Sequence, residues 1–187
     1  MTPYRHIIWD WNGTLIDDTW LCVDIINTLL THYHKPTLSL DQKVGSEFMH
    51  IYRERWQECS LHQNAERVLE FFATKGACQS ILSAADVSLL TACVRHFNLD
   101  HYFIQTIGLD NHYAAGKVEV AKRFIKTVHG DARHIVLIGD TTHDYIVSRE
   151  IGIDCILFTG GSHPTNKLAN CGVKLIENLI ELTQIFR

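Results

Sequence analysis

Asp10 closes the apolar run "HIIW", and Asp140 closes the run "HIVLIG". A carboxylate at the end of a buried strand is costly unless it is paired or bound to a metal. Asp144 follows four residues after Asp140, at the expected start of a helix. If that turn is helical, both acids face one side. Three acidic groups with few soft ligands around them suit a hard cation that keeps part of its water, and Mg²⁺ fits best. The plainer alternative is that Asp140 and Asp144 are only a turn residue and a helix cap. Ser83 ends the run "CQSIL" and offers a hydroxyl. The loop that continues with Ala84 offers backbone N–H groups, and a helix start near Asp86 adds the positive end of a dipole. Together these can hold a phosphate. Lys117 opens a helix just after Gly116. The dipole disfavours a cation there, so the placement asks for an anion nearby. Taken singly, Ser83 also reads as a strand-end turn residue and Lys117 as a solvated charge.

These side chains must be carried by something. "HIIWDW" is short, apolar and followed by Asn-Gly, which reads as a buried strand ending in a turn. From Asp17 the period becomes helical, with Cys22, Ile25, Ile26, Leu29, Leu30 and Tyr33 in one stripe. The Lys35-Pro36-Thr37 stretch breaks it. Ser39 with Gln42 reads as a capping box for a short helix, and Phe48, Ile51, Tyr52, Trp56 and Cys59 make a further stripe. No strand is expected within 17–62. After that, strands and helices alternate to the end: "CQSILSA", a helix capped by Asp86, "YFIQTIGL", a helix from Lys117, "HIVLIGD", a helix after "THD", "CILFTG", and a last strand and helix. Such alternation predicts an α/β fold, a doubly wound parallel sheet with helices on both faces. Ligands then bind beyond the carboxyl ends of the strands, where strand order switches. That is where Asp10, Ser83 and Asp140 are expected.

The 187 residues suffice for one core with a small insertion. A net charge of −4 without a basic stripe argues against nucleic acid or an anionic membrane as partner. No apolar run is long enough to span a bilayer, and the start lacks the long apolar segment of a signal peptide. The six cysteines stand singly at 22, 59, 78, 93, 155 and 171, with no Cys-x-x-Cys pair. They read as reduced core thiols of a cytoplasmic protein. Of twelve histidines none shows a zinc-type spacing, and nearly all read as surface or capping residues.

The motifs "DWNGTL", "ILSA", Lys117 and "IGDTTHD" stand in one order on the expected elements. In this the chain resembles the haloacid-dehalogenase-like hydrolase superfamily, and within it the phosphoglycolate-phosphatase-like branch with a helical cap. The resemblance runs from residue 6 to about 182 and implies a Mg²⁺-dependent phosphatase acting on a small phosphomonoester. Asp10 would be the nucleophile, forming an aspartyl-phosphate. Mg²⁺ would be held by Asp10, the backbone carbonyl of Asn12 and Asp140, with Asp144 acting through water. Thr14 would brace the first loop. The phosphate would lie against Asn12, Gly13, Ser83, Ala84 and Lys117. The resemblance also implies a division into a core, 1–16 with 63–187, and a cap insertion, 17–62. The insertion looks shorter than usual for the branch, which suggests an open site for a larger or less tightly selected substrate, or covering by a partner subunit. Trp20, Tyr52 and Trp56 either point inward for recognition or form core between the cap helices. Monomer and homodimer both stay open.

Asn12 departs from the pattern. The branch usually has an aspartate there, which gives a proton to the leaving oxygen and takes one from water. An amide exchanges no proton at useful pH, and general acid–base help is typically worth ~10²–10⁴-fold. Three readings follow: a slow phosphatase or one with an easy leaving group, a proton supplied by Asp17, Asp18, His143 or a group of the substrate, or a binding module for a phosphorylated ligand or a protein.

Overall fold

A computed structural model describes residues 4–34, 42–109, 116–128 and 130–186. Strand β1, His6–Trp9, is buried along its whole length because it is paired on both sides. The chain then makes a turn, a two-residue strand β2 (Ile16–Asp17) and helix α1 (Thr19–His32). Helix α2 (Gln42–Arg55) runs into a single 3₁₀ turn and strand β3 (Ser60–Leu61), which pairs antiparallel with β2. Alternation follows as α3 (Ala65–Thr74), β4 (Cys78–Asp86), α4 (Val87–His96), β5 (Gln105–Leu109), α5 (Lys117–Ile125) and β6 (Ile135–Gly139). The chain closes with α6 (Thr142–Ile151), β7 (Asp154–Phe158), α7 (Thr165–Ala169), β8 (Lys174–Ile176) and α8 (Leu182–Ile185).

The sheet has six parallel strands in the order β5-β4-β1-β6-β7-β8. From β1 the chain builds outward through β4 and β5, then crosses back to lay β6 on the other side of β1. The switch in strand order therefore falls between β1 and β6, and a crevice opens beyond their carboxyl ends. Alternate residues face opposite layers, as strand geometry requires. Ile7, Trp9, Ile81, Val136 and Ile138 pack in the layer that holds α3, α4 and α8. Ile8, Leu82, Leu137 and Leu157 pack in the layer that holds α5, α6 and α7. Both faces are covered, so this is the doubly wound α/β arrangement the alternation predicts.

Four expectations need correction. First, residues 17–62 do contain strand: Asp17 and Ser60 pair in the small β2–β3 ribbon. Two residues per strand are too few for a period-2 signal. Second, the stripe on α1 is narrower than expected. It buries Leu21, Ile25 and Leu29, while Ile26 is 42% exposed, because α1 meets its neighbours along a single i, i+4 row. Third, the two helical stripes read between 39 and 59 belong to one helix, α2, with its 3₁₀ continuation. The break at Lys35-Pro36-Thr37 and the cap at Ser39 lie outside the described residues. Fourth, His6 and His62 are buried, His6 hydrogen-bonded to Ser80 Oγ at 3.0 Å. The buried side chains of α1 and α2, with Trp56 and Cys59, join the same apolar cluster as α3 and α4 and form no core of their own.

Candidate active site

Asp10 lies one residue past β1, and its N–H donates to the carbonyl of Ile138 at 2.8 Å. That bond carries the β1–β6 ladder one step further and sets Asp10 beside Asp140, which follows β6. The turn after Asp10 is tight: the N–H groups of Leu15 and Ile16 both donate to Trp11 O, and Gly13 N donates to Ile16 O at 3.0 Å. Gly13 has φ +72°, which a side chain would strain, and a Cβ there would collide with the carboxylate of Asp140. A Cβ on Gly161 would collide with the same carboxylate and with the carbonyl of Gly13. Two glycines thus let two loops close on Asp140, and Thr14 Oγ1 (3.1 Å) and Ser162 N (2.6 Å) donate to it.

Lys117 is the first residue of α5, yet its side chain is buried. Its ammonium donates to Asp10 Oδ1 and to Asp144 Oδ1, each at 2.5 Å. The anion that its position asks for is present twice over. Asp144 also accepts from Thr141 Oγ1 at 2.6 Å and Thr141 N at 3.0 Å, closing a capping box at the start of α6. The helix-cap alternative for Asp144 is therefore true as well, with its other oxygen on Lys117.

Asp10, Asp140 and Asp144 are all buried, and one oxygen from each lies within 4.8 Å of the others. Against three carboxylates stands one ammonium. Burial pushes the Asp10 carboxyl well above its ordinary range, with Lys117 pulling down and Asp144 and Asp140 pushing up. Burial likewise raises Asp140, opposed by the N–H of Ser162. For Asp144 burial is outweighed by Lys117, and its carboxyl is held below the usual range. Lys117 is held high because its two carboxylates outweigh the effect of burial. An excess of buried negative charge on hard oxygen ligands fits a divalent cation such as Mg²⁺.

Asn12 faces a different set of groups. Its amide nitrogen donates to Asp18 Oδ2 at 2.6 Å and to the Tyr52 hydroxyl at 2.9 Å, and its amide oxygen lies 3.5 Å from Ser83 Oγ. Asp18 precedes α1 in the N-cap position but does not cap it. Its carboxylate turns inward and accepts three bonds: Asn12 Nδ2, Tyr52 Oη at 2.7 Å and Gly13 N at 2.9 Å. An aspartate that forgoes its cap gives up about 1 kcal/mol of helix stability. Burial, and after it the Asp18 charge, drives the Tyr52 hydroxyl far above its normal pKa, so Tyr52 remains a donor. Of the other acids considered as proton sources, Asp17 is half exposed and lies 4.0 Å from His62, and His143 is exposed.

Ser83 is buried inside β4, three residues before its end, where the ladder with β5 slips. Leu82 pairs with Ile107 and Asp86 with Leu109, so two extra residues bulge from β4. Ser83 Oγ accepts from Ala85 N at 3.0 Å, and Ala84 is exposed beside it. Asp86 caps α4 through Leu89 N at 3.0 Å. Trp56 is core, Trp20 is 44% exposed, and Tyr52 is both buried and engaged with Asn12. Tyr52, which the sequence left open between recognition and core, turns its hydroxyl to Asn12 from 40 residues away. Two further participants escape sequence reasoning. Ser162 acts through its backbone. Thr141 carried a signal, the Thr-x-x-Asp spacing of a capping box.

The family model of haloacid dehalogenase-like hydrolases matches residues 39–158. The chain belongs to this family. Among solved structures, a haloacid dehalogenase-like hydrolase from Streptococcus pneumoniae is similar over 100% of both chains, with TM-score 0.83 and 21% identity. A predicted phosphatase from Clostridium acetobutylicum is similar over 97% of both chains, with TM-score 0.83 and 17% identity. A predicted phosphoglycolate phosphatase from Haemophilus somnus is similar over 100% of both chains, with TM-score 0.80 and 15% identity. At these identities the likeness is one of fold. No curated protein matches the chain. Among the described residues no helix is long and apolar enough to cross a membrane.

Proposed function

We propose that this family member is a Mg²⁺-dependent phosphatase of small phosphomonoesters, with Asp10 as nucleophile. The observation that carries the reading is the buried cluster of Asp10, Asp140 and Asp144 with Lys117 bonded to two of them. Asp10, Asp140 and Asp144 would hold the ion, the last through water, with the Asn12 carbonyl as a further ligand. Bound there, Mg²⁺ supplies positive charge to the transferring phosphoryl group.

The chain's own groups divide the rest. Lys117 fixes the Asp10 carboxylate and offsets its repulsion of a dianionic ester. A carboxylate oxygen of Asp10 attacks phosphorus, the P–O bond to the alcohol breaks, and an aspartyl-phosphate remains. Water then attacks that phosphorus, the bond between Asp10 oxygen and phosphorus breaks, and inorganic phosphate leaves with the protons of the water, returning the carboxylate. Ser83 and the N–H groups about Ala84 face the phosphoryl oxygens, with Gly13 keeping the first loop close. Thr14 holds Asp140 in place. Helices α1 and α2 serve as the cap, packed against the core layer. Asn12 orients the leaving oxygen or the water but moves no proton, so alcohols that leave as weakly basic anions react fastest.

The test is phosphate release from p-nitrophenyl phosphate with Mg²⁺ and with EDTA. Release that EDTA and Asp10→Asn both abolish is the expected result; release indifferent to both contradicts the reading. A second reading, a phospho-ligand or protein binding module with little turnover, draws on the amide at position 12. It gains if a broad panel of phosphomonoesters is inert.

A further inference from the structure

A cavity of about 270 Å³ opens beside Asn12. Asn12, Ala84 and Ser162, which adjoin the candidate site, line it together with Cys22, Phe48, Met49 and Leu89. It is therefore placed to receive the part of a substrate that extends beyond the phosphoryl group. Its volume is slightly below the ~300–1,000 Å³ of most small-molecule sites, which suits one ring or a short chain.

Two acids line the cavity, Asp18 and Asp86, and no lysine or arginine among the described residues does. Asp18 already accepts three bonds from the protein. Asp86 caps α4 and faces Arg53 at 3.5 Å across the rim. A carboxylate entering here meets two like charges and apolar side chains, and Arg53 at the rim already faces Asp86. An ammonium meets a favourable field but few open acceptors, since Asp18 is taken and Phe48, Met49 and Leu89 offer none. We propose that this cavity selects a small, uncharged, apolar alcohol and rejects alcohols that carry a carboxylate.

The inference rests on the phosphatase reading, and one experiment separates the two. With the full chain and saturating Mg²⁺, kcat/KM is measured for benzyl phosphate, 2-phosphoglycolate and phosphoethanolamine, with p-nitrophenyl phosphate as reference. All three test esters are primary alkyl phosphates, so none has the phenolic leaving group of the reference. We expect benzyl phosphate to exceed each charged ester by at least about tenfold, the order of discrimination one pocket provides. Phe48→Arg, checked for folding by thermal melt, is expected to narrow or invert the ratio to phosphoglycolate. Should it not fold, the wild-type ratios decide alone. Charged esters turned over as fast as benzyl phosphate, with the reference hydrolysed, overturn the inference and leave the phosphatase reading standing. In that case Arg53→Gln shows whether Arg53 recruits the carboxylate. Failure of all four esters sinks the phosphatase reading, and the inference falls with it.

Discussion

Asn12 makes physical sense beside Asp18. The two side chains are 2.6 Å apart, with the amide donating. A carboxylate at position 12 would confront another at that distance, and one of the two would have to stay protonated. The amide thus removes a like-charge conflict while forgoing a proton-exchanging group. An exchange of the two types keeps the hydrogen bond and moves the acid to position 12. We expect Asn12→Asp/Asp18→Asn to hydrolyse an alkyl phosphate faster than wild type, by up to the ~10²–10⁴-fold that acid–base help provides. Asn12→Asp alone should gain less, because Asp18 still opposes it. Steady-state kcat for the three proteins decides. A double variant slower than the single one would mean that Asp18 is needed as a carboxylate.

At the scale of elements, three segments meet in one ion cluster: the end of β1, the first turn of α5 and the first turn of α6. Lys117 links them, so its loss leaves two buried carboxylates facing each other. Lys117→Met is expected to destabilise the fold by ~3–5 kcal/mol, the usual effect of breaking a buried pair from one side. Chemical denaturation measures this, and a change below about 1 kcal/mol, the level of an exposed pair, would show that the ammonium is not buried as described. This cluster was legible in the sequence because each member sits at a boundary. Asp10 and Asp140 end apolar runs, and Lys117 and Asp144 begin helices, so topology alone brings them to one edge. The β2–β3 ribbon was not legible, since two-residue strands have no period. Nor was the buried face of α1: Ile25, Ile26 and Leu29 are equally apolar, and only packing decides that Ile26 faces outward. The role of Tyr52 stayed open for the same reason, as an aromatic at helical spacing reads as core whether or not its hydroxyl reaches a site.

For the whole molecule, a buried histidine near the start of the central strand ties stability to pH. His6 is buried and bonded to Ser80, and burial lowers its pKa in the folded state. The unfolded chain therefore binds the proton more readily. The stabilisation is complete above the unfolded value of about 6.5 and is lost as pH falls through the folded-state pKa. His6→Gln removes this dependence, so the melting temperatures of wild type and variant should converge as pH is lowered below about 6.5. A constant difference across that range would mean that His6 does not contribute by staying neutral.

In the proposed function, the parallel sheet, the two covered faces and the crevice at the β1/β6 switch bring Asp10 within reach of a phosphoryl group. That claim is tested most directly by trapping the covalent species. The protein is mixed with p-nitrophenyl phosphate and Mg²⁺, quenched in acid and digested, and the phosphorylated peptide is mapped by mass spectrometry. The account predicts phosphate on Asp10, absent with EDTA and absent in Asp10→Asn. Phosphate released at the same rate with no label on Asp10, or with label elsewhere, would contradict it.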